Sequence, residues 1–217
     1  METNKTKWTG RIGNKVFLTL APVLAVVLIV MITVAVREIK NYAYQTAQEQ
    51  ADRAAKSLAS TINTSRIESE RAAAIMAGNP AVKQAVDNKD LEQVLTAVRP
   101  LLTMLDMDFV TVTDSRGNVI ARSHQPEKRG DNVRNQRNVQ MALEGTLSSA
   151  VEQGTVIPLA ARAGAPVYSN GVLVGAISIG RDLSRVAMVD KIKEQFGADA
   201  TIFHNDIRLI TTIMKDG

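Results

Sequence analysis

Arg122, His124 and Arg162 have side chains and spacing suited to holding a small anion. Arg122 and His124 lie two apart at the end of an alternating run, so both point to one face if that strand persists. A guanidinium is a planar fork that meets a carboxylate with two hydrogen bonds. An imidazole adds a donor whose charge changes in the physiological pH range. Arg162 lies in Leu159-Ala-Ala-Arg-Ala-Gly-Ala-Pro166, where small neighbours leave room beside it. Ser123 and Lys128 are secondary candidates. The competing reading of Arg122 and Arg162 is an ion pair with Asp114 or Asp131, or a solvated surface. His124 alone reads equally well as a satisfied loop histidine.

The surrounding charge supports an anion. Between Arg116 and Arg137 there are six basic residues (Arg116, Arg122, Lys128, Arg129, Arg134 and Arg137) against Glu127 and Asp131, a local sum of +4. Lys128, Arg129, Arg134 and Arg137 taken singly read as a solvated face. The stretch has no aromatic residue, whereas single-stranded nucleic acid is usually bound on aromatic platforms. Nucleic acid is therefore not an expected partner.

Catalytic and metal chemistry find little support. The chain of 217 residues has no Cys and two His, which removes thiol catalysis, disulfide scaffolds and Cys-type zinc sites. It shows no Ser, His and acid set at recognisable spacing and no Gly-rich phosphate loop. Asp106 and Asp108 precede a strand with no cationic or metal partner nearby in sequence. The expectation is a protein that is not an enzyme and carries no cofactor or metal.

The elements that position these residues begin with an anchor. The chain's formal charge is +4. Lys5, Lys7, Arg11 and Lys15 against Glu2 contribute +3 of it; from Arg37 onward, 22 bases and 21 acids contribute +1. Val16 to Val36 holds no charge in 21 residues, about 32 Å of helix, enough to cross a hydrocarbon core. A cleavable signal peptide would have a shorter apolar run and a small-residue cleavage site; here the run ends in Arg37-Glu38-Ile39-Lys40. The reading is an uncleaved anchor in the inner (cell) membrane. By the positive-inside rule residues 1–15 are cytoplasmic and the rest is periplasmic or extracellular.

Residues 38–77 contain no Gly or Pro and read as one long helix. Its stripe of Ala47, Ala51, Ala55, Leu58, Ile62, Ser65, Ser69, Ala72 and Met76 faces one side. It could cover the domain's own sheet, pair with a second copy, or do both; a homodimer through this helix is expected. Gly78-Asn79-Pro80 ends the helix. Helices follow at about Ala81–Val86 and Leu91–Met104. Asp108–Asp114 and Asn118–Ser123 form a hairpin about Ser115-Arg116-Gly117-Asn118. A polar loop leads to a short helix at about Arg137–Leu143. Strand-like runs span Ser149–Gln153, Thr155–Tyr168 and Val172–Gly180, the last two joined through Asn170-Gly171. A connecting helix, Ser184–Phe196, precedes a second hairpin, Ala200–His204 and Arg208–Ile213. The fold class is α+β, with an antiparallel five-stranded sheet and helices segregated from it.

Several pieces carry a family resemblance. Asp114-x-x-Gly117, Val119-Ile-Ala-Arg-Ser-His124, Pro126 and Gly130-Asp131 resemble the first hairpin of an extracytoplasmic, PAS-like Cache sensor module. Ala142-Leu143-x-Gly145, Arg162-Ala-Gly-Ala-Pro-Val-Tyr168 and Gly175-Ala-Ile-Ser-Ile-Gly180-x-Asp182-Leu183 are similar to the rest of it. Anchor, long helix and second hairpin resemble the two-module Cache region of bacterial methyl-accepting chemotaxis proteins. Histidine kinases and cyclases share that outer region, and a membrane-anchored protein-binding module is a further alternative. The resemblance implies the sensory region of a chemoreceptor, with Arg122, His124 and Arg162 at positions that hold ligand carboxylates. It implies these divisions: a basic leg (1–15), transmembrane helix (16–36), long helix (37–78), first module (79–183), and a connecting helix with the start of a second module (184–217). The family's second membrane helix and output domain have no counterpart in the sequence, so a second module cut short after Gly217 is expected.

Overall fold

A computed structural model describes the backbone of residues 9–154, 157–204 and 206–213; the side chains of 9–14 and of His204 lie outside the description. The chain divides into two compact units, residues 1–52 and 53–217. The first helix, α1 (Thr9–Gly78), contains Pro22 and contributes to both. In the first unit, Val16 to Val36 presents an almost wholly exposed apolar surface. It is the one stretch among the described residues long and apolar enough to cross a membrane, with a mean hydropathy of 2.8 over its best window.

In the second unit, the rest of α1 is followed by α2 (Pro80–Asn88), α3 (Leu91–Met104), β1 (Phe109–Asp114), β2 (Val119–Arg122), α4 (Arg137–Leu143), β3 (Ser148–Glu152), β4 (Ala160–Ser169), β5 (Val172–Asp182), α5 (Val186–Phe196), β6 (Thr201–His204) and β7 (Ile207–Thr211). The breaks follow local chemistry. Asn79 caps α2, its side-chain oxygen accepting from the backbone N–H groups of Ala81 and Val82, and Pro80 sits where a missing donor costs nothing. Asn170 and Gly171 both adopt positive φ, 49° and 80°, as a two-residue hairpin turn requires.

The five strands β1–β5 form one antiparallel sheet in the order β2-β1-β5-β4-β3. Alternation gives it two different faces. Val110, Val112, Ala163, Ala165, Ile177 and Ile179 join Ala72, Ala73 and Met76 of α1 and the apolar sides of α2 and α3 in the main core. Ser69 of α1 is buried there and donates to the Ala161 carbonyl at 3.1 Å. The opposite face carries Thr111, Arg122, Arg162 and Ser178. It is covered by α4 and by a strap, residues 123–136, with a smaller core of Val119, Val133, Val139, Ala142, Leu143 and Ala176.

Gly164 lets α4 sit directly on β4: a Cβ there would lie 2.0 Å from the Asn138 carbonyl oxygen. Asn138 then reaches Ser178, its Nδ2 donating to Oγ at 2.7 Å.

Some expectations shift. The long-helix stripe divides: Ser65, Ser69, Ala72 and Met76 are buried, Leu58 and Ile62 half-buried, while Ala47, Ala51 and Ala55 are exposed. The run expected as a strand over 155–168 becomes regular only at Ala160. Residues 157–159 are irregular, since Pro158 has no N–H for a sheet ladder; Thr155 and Val156 lie outside the described residues. The second hairpin packs on the domain: Ile202 and Ile210 share a cluster with Leu159, Leu183 and Val189. Expectations about 214–217 lie outside the described residues.

Candidate functional site

The loop after β2 forms the strap. Val119 N–H donates to Asp131 O, and Gly130 N–H to Val119 O, each at 2.9 Å. These bonds pin residues 130–133 along β2. Ser123 is also structural, its Oγ accepting from Val110 N–H at 3.0 Å. Beneath the strap, Thr111, Arg122, His124, Val133, Gln136, Ile157 and Arg162 line a cavity of about 20 Å³, roughly the space one water needs.

β2 ends at Arg122, so strand alternation does not bring His124 beside it. The turn of the chain into the strap does. The structure thus brings Arg122, His124 and Arg162 to one pocket. Lys128 points its exposed side chain elsewhere; its backbone carbonyl is the group at the site, accepting from Arg122 Nη1 at 2.7 Å.

The two arginines are both buried, 6% and 7% exposed, yet they are satisfied unequally. Arg122 meets Asp131 fork to fork, Nη1 to Oδ1 and Nη2 to Oδ2, both at 2.7 Å. The hydrogen bonds from Arg122 hold the Asp131 carboxyl below its usual pKa, against the opposing effect of burial. Asp114 is not the partner. Its carboxylate instead accepts from Arg116 N–H and from the backbone and side chain of Asn118.

Arg162 has no carboxylate within 4 Å among the described residues. Its Nη2 makes one long bond, 3.3 Å, to the Ile157 carbonyl, and its Nε has no hydrogen-bond partner. The guanidinium lies 4.7 Å from the centre of the Phe109 ring. Burial pulls its pKa down, and the charges of Glu152 and Asp182 only partly oppose this. Glu152 is itself pushed up by burial, against the charges of Arg162 and Arg137. Gly154 makes the room: a Cβ there would stand 2.0 Å from Arg162 Nη2.

His124 completes the set. Its ring meets Phe109 edge to face, centroids 5.7 Å apart, and its buried Nδ1 has no partner among the described residues. Burial, then the charges of Arg122 and Arg162, hold its pKa below the usual histidine value. The imidazole is therefore neutral at pH 7. Sequence reasoning missed Phe109, Thr111 and Gln136. Thr111 was reachable in principle, since the hairpin register places it opposite Arg122.

Asp106 and Asp108 face arginines rather than each other's chemistry: Asp106 pairs with Arg181 at 2.7 Å and Asp108 with Arg185 at 2.9 Å. No group of three or more His, Asp or Glu side chains suited to a metal ion occurs among the described residues.

Residues 44–216 match the family model dCache_3, described as the double sensory domain of two-component sensor kinase. The chain belongs to this Cache sensor family. Solved structures show the same fold. The sensor domain of Escherichia coli DcuS aligns with a TM-score of 0.51 at 21% identity, over 64% of this chain and 98% of that one. The sensor domain of the Vibrio cholerae histidine kinase DctB gives 0.57 at 15%, over 76% and 65%. The sensory domain of the Campylobacter jejuni chemoreceptor Tlp3, solved with isoleucine bound, gives 0.55 at 13%, over 79% and 72%. No curated protein matches the sequence. The chain is a Cache sensor with an N-terminal apolar helix long enough for a membrane anchor, and the structures it resembles are sensor domains of kinases and chemoreceptors.

Proposed function

We propose that this chain is the extracytoplasmic sensing region of a bacterial transmembrane receptor and that it binds a small carboxylate between Arg122 and Arg162, beneath the strap. One observation carries the reading. Among the described residues, Arg162 is a buried cation with no anion in contact, beside a second buried guanidinium and an imidazole nitrogen with no partner. An unpaired buried charge costs several kcal/mol, so such a group suits an anion that arrives from outside. The carboxylate would bridge the arginines, and His124 would serve as a neutral hydrogen-bonding group. Lys128 and Ser123 drop to supporting roles, because their contacts hold the strap and β1.

The basic leg and apolar run support, by the positive-inside rule, a cytoplasmic 1–15 and a periplasmic or extracellular sensor. The exposed Ala47, Ala51 and Ala55 favour a second copy along the long helix. For the output, a chemoreceptor is one reading; the family's description as a sensor-kinase domain favours a histidine kinase.

The test is a thermal-shift screen of the purified chain in detergent against mono- and dicarboxylic acids and free amino acids. At least one acid should raise the melting temperature, and Arg162→Met should abolish that rise. An acid that stabilises the variant as well as the parent would place the site elsewhere. A screen with no stabilising acid, together with a protein partner recovered by crosslinking, would overturn the carboxylate reading in favour of a protein-binding module.

A further inference from the structure

We propose that Asp131 is a tethered competitor for the site: its carboxylate occupies the Arg122 fork that an incoming carboxylate must take, and a carboxylate on that fork, tethered or free, keeps the outer part of the strap fastened. This rests on the reading above that Arg122 and Arg162 receive a ligand carboxylate.

The geometry is that of carboxylate recognition. Two parallel bonds of 2.7 Å join the two groups, the arrangement a free acid would adopt with arginine. The partners differ in burial. The Arg122 side chain is 7% exposed and that of Asp131 is 55% exposed. Arg122 is therefore fixed in the protein, and Asp131 is the member that can leave. Asp131 keeps much of its exposure to water, so its release costs little provided another carboxylate takes its place on the buried Arg122. A diffusible acid that also reaches Arg162 gains a contact Asp131 does not make, since Asp131 bonds only Arg122 among the described side chains.

The cavity lined by the two arginines holds about 20 Å³, roughly one water, so room for an acid must come from groups that now flank them, and Asp131 is the exposed partner of Arg122. The strap is built to let part of itself move. Residues 130–133 stay held by backbone bonds, Gly130 and Asp131 to Val119 and Val133 N–H to Gly117 O. Residues 127–129 are exposed, and their link to the site is the Lys128 carbonyl on the same Arg122 nitrogen that binds Asp131. Rotating the Asp131 side chain outward breaks no backbone bond of the frame. An incoming carboxylate then restores the charge facing Arg122, and with it the hold on Lys128, whereas an empty fork does not.

Chemical rescue tests this without knowledge of the natural ligand. In the full-length chain, Asp131→Ala removes the tethered carboxylate, and trypsin should cut after Lys128 and Arg129 several-fold faster. Millimolar acetate should restore protease resistance and melting temperature to Asp131→Ala, leave the parent unchanged, and fail in an Arg122→Gln, Asp131→Ala double variant. Acetamide, neutral and of the same shape, should not rescue. In addition, Asp131→Asn should bind any acid found in the screen about three- to tenfold more tightly than the parent. Absence of acetate rescue, or an Asp131→Asn variant that binds the acid equally or more weakly, overturns the competitor. The two readings fail separately. Acids that stabilise the parent through Arg162 without any acetate rescue would leave the function standing and remove the competitor. Acetate rescue with no acid acting on the parent would do the reverse.

Discussion

On one face of the five-stranded sheet, Val110, Val112, Ile177 and Ile179 meet α1, α2 and α3, and no buried charged side chain among the described residues lies on that face. On the other, Arg122 and Arg162 meet the strap, and Arg162 lacks an anionic partner among the described residues. The strands are the same, and only the parity of the residue differs. The apolar face is where burial and interdigitated packing hold the fold together. The polar face gives up stability, since a buried guanidinium and unpartnered nitrogens are expensive. Substitutions of similar size should therefore act in opposite directions on the two faces.

The largest effect tests the apolar face. Ile177→Ala should lower the unfolding free energy by about 3 kcal/mol, from lost transfer energy and a residual cavity, read as a shift in the urea midpoint. On the polar face, Arg162→Met should do the opposite and raise stability by about 1–2 kcal/mol, seen as a higher melting temperature with acid binding lost. If Arg162→Met destabilises as Ile177→Ala does, the two faces do not differ in the way described.

Titration sharpens the same contrast. His124 has a folded-state pKa below the unfolded 6.5, so the unfolded chain binds the extra proton first. Its contribution is present above pH 6.5 and is lost as pH falls from there toward the folded value. His124→Gln should flatten the fall in melting temperature between pH 7.5 and 5.5. Asp131 acts at lower pH. Its depressed pKa gives stability present above the unfolded carboxyl value of about 3.9 and lost as pH falls through the folded one. Asp131→Asn should lack this last acid-sensitive component. The smallest effect is expected for Lys128→Ala, within about 0.5 kcal/mol and with acid affinity unchanged, because the site uses only that residue's carbonyl.

The element order was legible because its signals are local. Asn79-Pro80, Asn170-Gly171 and the alternation in Phe109–Asp114 each act within a few residues. Arg122, His124 and Arg162 were legible as chemistry, and residue type with a family resemblance was enough to group them. Their satisfaction was not. Asp114 and Asp131 stood equally as partners for Arg122, and the decision came from the strap's path, fixed by bonds between Val119 and residues 130–131. Nor could spacing show that Arg162 lies over Phe109, since strand pairing brings together residues more than fifty positions apart. The end of β2 at Arg122 overturned the argument that placed His124 beside it, though the loop delivered the same neighbour.

Gly154 leaves a vacancy that the Arg162 guanidinium fills. The two positions are therefore one unit of information, readable in any relative's sequence. A relative with arginine at the second position and a side chain at the first must aim its cation elsewhere. A relative that has lost the arginine is free to fill the first. Gly154→Ala in this chain would turn the arginine aside with its charge retained, separating what the site owes to charge from what it owes to aim.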